Sequence, residues 1–382
     1  MFSWLHSLLV FVPVGIWAFL SNRAPLVVFV TNGIAIVPLS SLLTSATEKI
    51  AEDAGDTVGA LLNITLGNLV ELILFVALKH NRVRVVQASI LGSMLVNLLP
   101  ILGVALCVTG ISYDDPVLTF AETQLLVWLL TVSTFVLLIP AALNFTLNET
   151  TGAGDARLRM SRASALMALV IYVFYVIHEI RVHASPTPFI SPLSQVSDIE
   201  HLTRPDLACP RIPRRPGASA AEPERKAHRR SNSEKALSVL LLIISSASMS
   251  MCAEFLVGTI DEITRQGHLS ESFIGLILLP IVGNVAEFVV VVTVAYKEKL
   301  DLAVAVAVGS AVQIALCVAP LTIIASWIMA RELSLSFSLF DAAALIGATV
   351  LINSFFLGDA NSVLRASRLK GASICACYII IG

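Results

Sequence analysis

Charge is what this chain has least of: Asp, Glu, Lys and Arg make up 14% of its 382 residues, against 56% hydrophobic, where soluble domains carry about 25% charged and 45–50% apolar residues. That balance excludes a soluble globular domain and predicts a polytopic membrane protein, as does a mean hydropathy of +0.85. The net charge is only −2 and the charges fall in loops, so there is no basic surface for nucleic acid. Cysteine is sparse too. Cys107, Cys209, Cys252, Cys317, Cys375 and Cys377 lie mostly in apolar runs, with no metal-ligand spacing beyond a weak Cys375-x-Cys377, and read as small core hydrophobes. Hydrolase signatures are missing as well: there is no G-x-S-x-G and no paired intramembrane Asp. His178-Glu179-Ile180-Arg181-Val182-His183 misses H-E-x-x-H because its histidines are five apart and turn onto different helix faces. Neither an enzyme nor a bound cofactor is expected.

What the chain does have is apolar runs near the ~20 residues a spanning helix needs. They cover Leu5–Leu20, Leu26–Leu43, Val58–Leu78, Val83–Val108, Val117–Leu143, Ala163–Ile180, Ala236–Ile260, Phe273–Tyr296, Leu302–Ala330, Leu333–Leu357 and Gly371–Gly382, the last too short to cross. The first lacks a basic leader and a small-residue cleavage site, so it reads as a retained helix. Between the sixth and seventh runs, Arg181–Lys235 holds eight of the sixteen prolines and ten of the twenty-five Lys and Arg. Such a composition buries too little apolar surface to order itself. The expected organisation is an N-terminal membrane helix (1–24), a first group of helices 2–6 (25–182), a basic, proline-rich linker (183–235) and helices 7–11 (236–382), the final helix incomplete. With eleven crossings most Lys and Arg share the linker's side, which the positive-inside rule assigns to the cytosol; Lys79, Arg82 and Arg84 fall on the other side. The acceptor triplet Asn148-Glu149-Thr150 then faces the lumen.

Two pentads stand out, Gly67-Asn68-Leu69-Val70-Glu71 and Gly283-Asn284-Val285-Ala286-Glu287. Each sets a carboxylate in mid-span, where it costs roughly 2.5–3.5 kcal/mol on insertion scales and usually marks an ion or proton path. The order of features repeats around them. Glu48 and Glu254 precede the pentads near the ends of the previous spans, and Gly92-Ser93 and Gly309-Ser310 follow in the next. Five spans separate the pentads, an odd number, so equivalent helices run in opposite directions and form an inverted repeat, which places a transport site at the midplane. On a helix Asn68 and Glu71 share a face, as do Asn284 and Glu287. Each repeat thus offers an amide oxygen and a carboxylate, the hard oxygen ligands that Ca²⁺ takes six to eight of. Gly67 and Gly283 allow close helix crossing or a loosened turn, the latter helped by Pro280. Burial favours a protonated carboxylate and a bound cation a charged one, so metal and protons compete for the same pair. Glu48 and Glu254 read as access-route acids, or as solvated headgroup acids; Ser93, Asn97, Ser310 and Gln313 line the path or bond between helices.

At these residues the chain resembles the cation/proton exchanger (CAX) family of the Ca²⁺/cation antiporter superfamily, fungal vacuolar Ca²⁺/H⁺ exchangers in particular. The resemblance also rests on Val85-Val86-Gln87-Ala88-Ser89-Ile90-Leu91-Gly92-Ser93, Cys252-Ala253-Glu254-Phe255-Leu256-Val257-Gly258 and Phe273-Ile274-Gly275-Leu276-Ile277-Leu278-Leu279-Pro280-Ile281-Val282-Gly283-Asn284. It implies an all-α integral membrane fold of about eleven transmembrane helices, one N-terminal helix plus two inverted five-helix repeats. Glu71 and Glu287 would be the central Ca²⁺ and proton carriers, with Glu48 and Glu254 flanking the access routes. The family usually has histidine after the second pentad; here Phe288 stands there. The expected function is alternating-access exchange of Ca²⁺ for H⁺ across a vacuolar membrane, with membrane lipid as surroundings and a homo-oligomer compatible with the composition. The alternatives are a Na⁺-coupled or Mn²⁺-selective exchanger of the same superfamily and a transport-deficient membrane protein with an interaction role.

Overall fold

The computed structural model describes residues 7–54, 71–112, 117–118, 120–146, 153–183, 232–267, 269–297, 299–357, 364–365 and 368–381. Its elements are helices α1 (Leu8–Leu20), α2 (Pro25–Ala54), α3 (Leu72–Lys79), α4 (Val83–Ile111), α5 (Phe120–Thr146), α6 (Ala153–His183) and α7 (Asn232–Gly258, continuing past a bend at Thr259 as Ile260–Arg265). After these come α8 (Glu271–Gly283), α9 (Val285–Tyr296), α10 (Leu300–Ile328), α11 (Leu339–Leu357) and α12 (Arg368–Ile381). Two short strands, β1 (Val117–Leu118) and β2 (Leu364–Arg365), pair antiparallel. Among the described residues seven helices are long and apolar enough to cross a bilayer, or eight if the bent pair α8 and α9 is one span. This all-helical build follows from the solvent, because in lipid every backbone N–H and C=O must find its partner within the segment.

Burial sorts the helices. Of their most apolar windows, 72% is buried in α10 and 67% in α4, against 17% in α6. Helices α4 and α10 therefore form the interior, while α6 turns Leu166, Met167, Val170, Phe174 and Ile177 outward, as a lipid-facing helix does. Helix α2 packs most extensively on α7. Onto this pair docks α1: Asn32 Nδ2 donates to Gly15 O at 3.3 Å, and Phe19 stacks on Phe255 with centroids 4.0 Å apart. Helices α5 and α11 are joined by polar rungs, Thr134 to Thr349 at 3.0 Å and Asn353 Nδ2 to Thr131 Oγ1 at 2.7 Å, of the kind that hold membrane helices where no hydrophobic force distinguishes partner from lipid.

Two expected spans differ from the structure. The run Phe273–Tyr296 is a broken pair, α8 and α9, bent by 53° at Asn284. The run from Leu333 begins its helix only at Leu339; residues 331–338 are not helical. Their sequence alternates Leu333, Leu335 and Phe337 with Ser334, Ser336 and Ser338, a period of two that buries the apolar set as a strand would. The serines hold the segment in place: Gln87 Nε2 donates to Ser334 O, and Leu335 N to Ser161 Oγ at 2.9 Å. Ser338 then opens α11 through a reciprocal cap with Asp341. The run Val58–Leu78 is described only from Glu71 onward.

Helix α12 closes against α4 through glycine. A Cβ on Gly371 would lie 2.6 Å from Gly103 O and 2.8 Å from Cys107 N, and one on Gly103 would lie 2.6 Å from Cys375 Sγ. Because backbone meets backbone, no rotamer change relieves the clash. Gly371→Leu is therefore expected to lower thermal stability, by about 1–3 kcal/mol on the usual scale of overpacking. Gly154→Leu, at a position with open space, should leave it unchanged; scanning fluorimetry of the purified variants checks both.

Candidate cation site

Glu71 and Glu287 both lie at or near the start of a helix. Glu71 is the N-cap of α3, and Glu287 stands in the first turn of α9. Both carboxylates thus sit where a helix begins and its dipole favours negative charge. For α9 the start is built by the sequence. Pro280 brings no N–H to the preceding turn, α8 runs π-helical over Ile274–Leu278, and Asn284 ends it with φ −99° and ψ 15°. Asn284 donates twice to Pro280 O, from its backbone N at 3.0 Å and its Nδ2 at 2.8 Å, and its own carbonyl receives Phe288 N at 2.9 Å. One residue thereby closes α8 and opens α9.

The second wall comes from α4. Asn97 Nδ2 donates to Ser93 O and to Asn284 Oδ1, both at 2.9 Å. The Asn97–Asn284 bond joins residues 187 apart in sequence, one from each half, and both side chains are buried. Glu71 accepts a hydrogen bond from Ser93 and lies within electrostatic reach of Glu287. Two oxygens of this cluster have no partner among the described residues, Glu287 Oε2 and Asn97 Oδ1, although both are shut off from solvent. A buried carboxylate oxygen without a donor is costly. No Lys, Arg or His ion-pairs with either glutamate among the described residues. The cluster is therefore rich in oxygen acceptors and short of donors, which suits a cation and ill suits an anion or a neutral apolar molecule.

The structure thus brings together Glu71, Glu287, Asn284, Asn97 and Ser93. Gly283, buried, ends α8 beside them. Ser310 and Gln313 lie partly buried on α10, in the turn before its π-helical stretch Ile314–Val318, and Gln313 is engaged by a neighbour. Asn68 and Gly67 lie outside the described residues. Glu48 is half-buried within α2 and has a partner.

Glu254 is not a free acid: its Oε1 receives Lys79 Nζ and His80 Nε2, each at 2.9 Å. Arg82 pairs with Asp261 and, at 3.6 Å, with Glu271. Sequence reasoning missed this ionic rim, because its partners are 174 to 189 residues apart. It also undervalued Asn97, whose bond to Asn284 leaves no local signal.

The sodium/calcium exchanger protein family matches residues 24–181 and 237–381. The vacuolar calcium ion transporter of Schizosaccharomyces pombe is 34% identical over all of this chain and 84% of its own length. The Ca²⁺/H⁺ antiporter of Aphanothece halophytica is 33% identical over 98% of this chain and 94% of its own. Among solved structures, native YfkE superposes with a TM-score of 0.75 at 25% identity, covering 99% of this chain and 98% of that one. The H⁺/Ca²⁺ exchanger CAX shares the fold, with a TM-score of 0.67 at 15% identity over 98% and 86%. With the family matched over most of its length and relatives at 33–34% identity across nearly all of it, the chain belongs to the sodium/calcium exchanger family, among the vacuolar calcium and cation/proton exchangers.

Proposed function

We propose that this protein exchanges Ca²⁺ for H⁺ across the membrane of an acidic organelle, the vacuole by its relatives' names, through alternating access to a site centred on Glu71 and Glu287. One observation carries the reading: carboxylates from the two halves lie in electrostatic reach of each other, with Glu287 Oε2 and Asn97 Oδ1 left unpartnered beside them. In this reading α1 precedes two inverted five-helix repeats, α2–α6 and α7–α12, with α8 and α9 counted as one broken span and the basic linker facing the cytosol.

The chemistry follows from charge. Two buried carboxylates in a low dielectric repel, and no basic side chain ion-pairs with either among the described residues. The pair is tolerated when it holds a divalent cation or when protons neutralise it. An empty, doubly charged site is the costly state, so reorientation proceeds only with cation or protons aboard. Coupling thus needs no separate proton path. Asn97 and Asn284 position the acceptors: by donating to Asn284 Oδ1, Asn97 Nδ2 fixes its own Oδ1 toward the unpartnered region. Ca²⁺ suits a mixed carboxylate and amide set because it accepts irregular oxygen geometry.

In sealed vesicles bearing a proton gradient, the wild-type chain is expected to accumulate ⁴⁵Ca. Glu71→Gln and Glu287→Gln should each reduce uptake to the level of protein-free vesicles while keeping normal insertion and elution. Retained uptake by either variant would falsify the assignment, and uptake that follows a Na⁺ gradient instead would point to a different coupling ion. Asn97→Ala should weaken apparent Ca²⁺ affinity by about 5- to 30-fold, the equivalent of ~1–2 kcal/mol for one buried hydrogen bond and its ligand geometry. Acidifying the side from which Ca²⁺ loads should raise its apparent KM, because a protonated carboxylate is not a ligand; a KM independent of loading-side pH would contradict competition for one site.

A further inference from the structure

Of the helices long enough to span, α6 is the least buried. Its residues Arg159, Arg162, Leu166, Val170, Val173 and Ile177 follow one another at steps of three or four, so they stack on one face. The four apolar ones and Arg159 are exposed, and Arg162 is half-buried. From Leu166 to Ile177 the helix rises about 16 Å at ~1.5 Å per residue, the depth of one leaflet in a hydrocarbon core of ~30 Å. Two guanidinium groups therefore head an apolar line as long as one lipid chain is deep.

A second wall stands beside them. The head of α6 packs against the end of α10, where Trp327 and Ile328 are both exposed, and tryptophan in such a place marks the boundary between lipid and water. The Arg162 guanidinium lies over the Trp327 ring, 4.7 Å from its centroid. Stacking fixes the plane of the group through one face and leaves its N–H edges for an acceptor. Arg331 Nη2 donates to Lys79 O and Leu335 N to Ser161 Oγ, which places this head at the same end of the molecule as the ionic rim. There Lys79 and Arg82 are matched by acids, whereas neither Arg159 nor Arg162 ion-pairs with an acid among the described residues.

We infer that Arg159, Arg162 and Trp327 form a headgroup site for an anionic phospholipid, its phosphate held by the two guanidinium groups and an acyl chain laid along Leu166, Val170, Val173 and Ile177. The charge selects the lipid. Guanidinium presents paired N–H donors that match two phosphate oxygens, and a zwitterionic lipid brings its own cation to the same place. The apolar line beneath selects a lipid over a soluble anion, because each buried methylene of the chain adds to the affinity. Ser161, beside Arg162, holds Leu335 N at 2.9 Å. A lipid seated here thus fastens the head of α6 to the end of α10 and to the stretch 331–338. The site lies apart from Glu71 and Glu287, so its occupancy is read without flux.

Trp327 itself reports the lipid beside it. In a full-length parent chain with Trp4, Trp17 and Trp128 changed to Phe, Trp327 is the sole tryptophan. This chain is reconstituted in phosphatidylcholine vesicles, and a small fraction of the lipid is replaced by brominated phosphatidic acid or, in parallel, by brominated phosphatidylcholine. Quenching of Trp327 is expected to show phosphatidic acid favoured about five- to thirtyfold, the scale of one to two basic side chains at an anionic surface. Arg159→Gln combined with Arg162→Gln should remove the preference. Arg84→Gln, at an exposed arginine of α4, should leave it. Equal quenching by the two lipids in the parent would overturn the site, as would a preference that survives the double variant or is lost equally in Arg84→Gln. Loss of the preference on adding inorganic phosphate would assign the arginines to free anions and overturn the lipid. Should the double variant fail to fold, Arg159→Gln alone decides: a reduced preference supports the site and an unchanged one refutes it.

Discussion

Two carboxylates, Glu71 and Glu287, face one another electrostatically inside an apolar bundle with no basic side chain beside them among the described residues. The rest of the structure answers that constraint. Each acid begins a helix, so the peptide dipoles of α3 and α9 favour the charged form. Asn97 and Asn284 link the two halves where the charges lie, and Ser93 donates to Glu71. What remains unsatisfied among the described residues, Glu287 Oε2 and Asn97 Oδ1, is acceptor capacity of the kind a cation meets.

Irregular backbone is concentrated near this place. Three π-helical stretches, in α4, α8 and α10, fall at Asn97–Ile101, Ile274–Leu278 and Ile314–Val318, each within or just before a proline-containing turn. Proline removes a donor and displaces the preceding carbonyl, and a membrane helix tolerates this only where protein surrounds it. Both α4 and α10 are among the most buried helices, so the irregularity is paid for in the interior and not against lipid. The same irregularity gives α8 its tight fit to Gly92 and gives α9 its separate beginning.

Much of this was legible in the sequence, for physical reasons. A glutamate in an apolar run is conspicuous because its cost demands a use, so the pentads revealed themselves without any alignment. The all-helical build and the approximate position of its spans followed from run length. The break at Asn284 was only half visible: Pro280 announced a loosened turn, but the apolar run from Phe273 to Tyr296 is continuous and read as one span. The non-helical stretch before α11 was read as the start of the span from Leu333, because hydropathy averaging conceals its period-two Leu-Ser alternation. Glu254 could not be placed, because an acid near a span end reads alike whether solvated or paired, and its partners Lys79 and His80 lie far away in sequence. Nor does a glycine announce what it faces: a Cβ on Gly92 would lie 2.2 Å from Leu276 O, whereas one on Gly154 would meet nothing within 4 Å among the described residues.

The central claim is that cation and protons compete for the same two side chains. It is tested most directly by adding Ca²⁺ to the purified, weakly buffered protein and following bound ⁴⁵Ca and released protons together. The account predicts protons released with each ion bound, diminishing as the starting pH rises and the site is already ionised, and loss of both signals when Glu71 and Glu287 are both Gln. Ca²⁺ binding without proton release at any pH, or undiminished binding in the double variant, would contradict it.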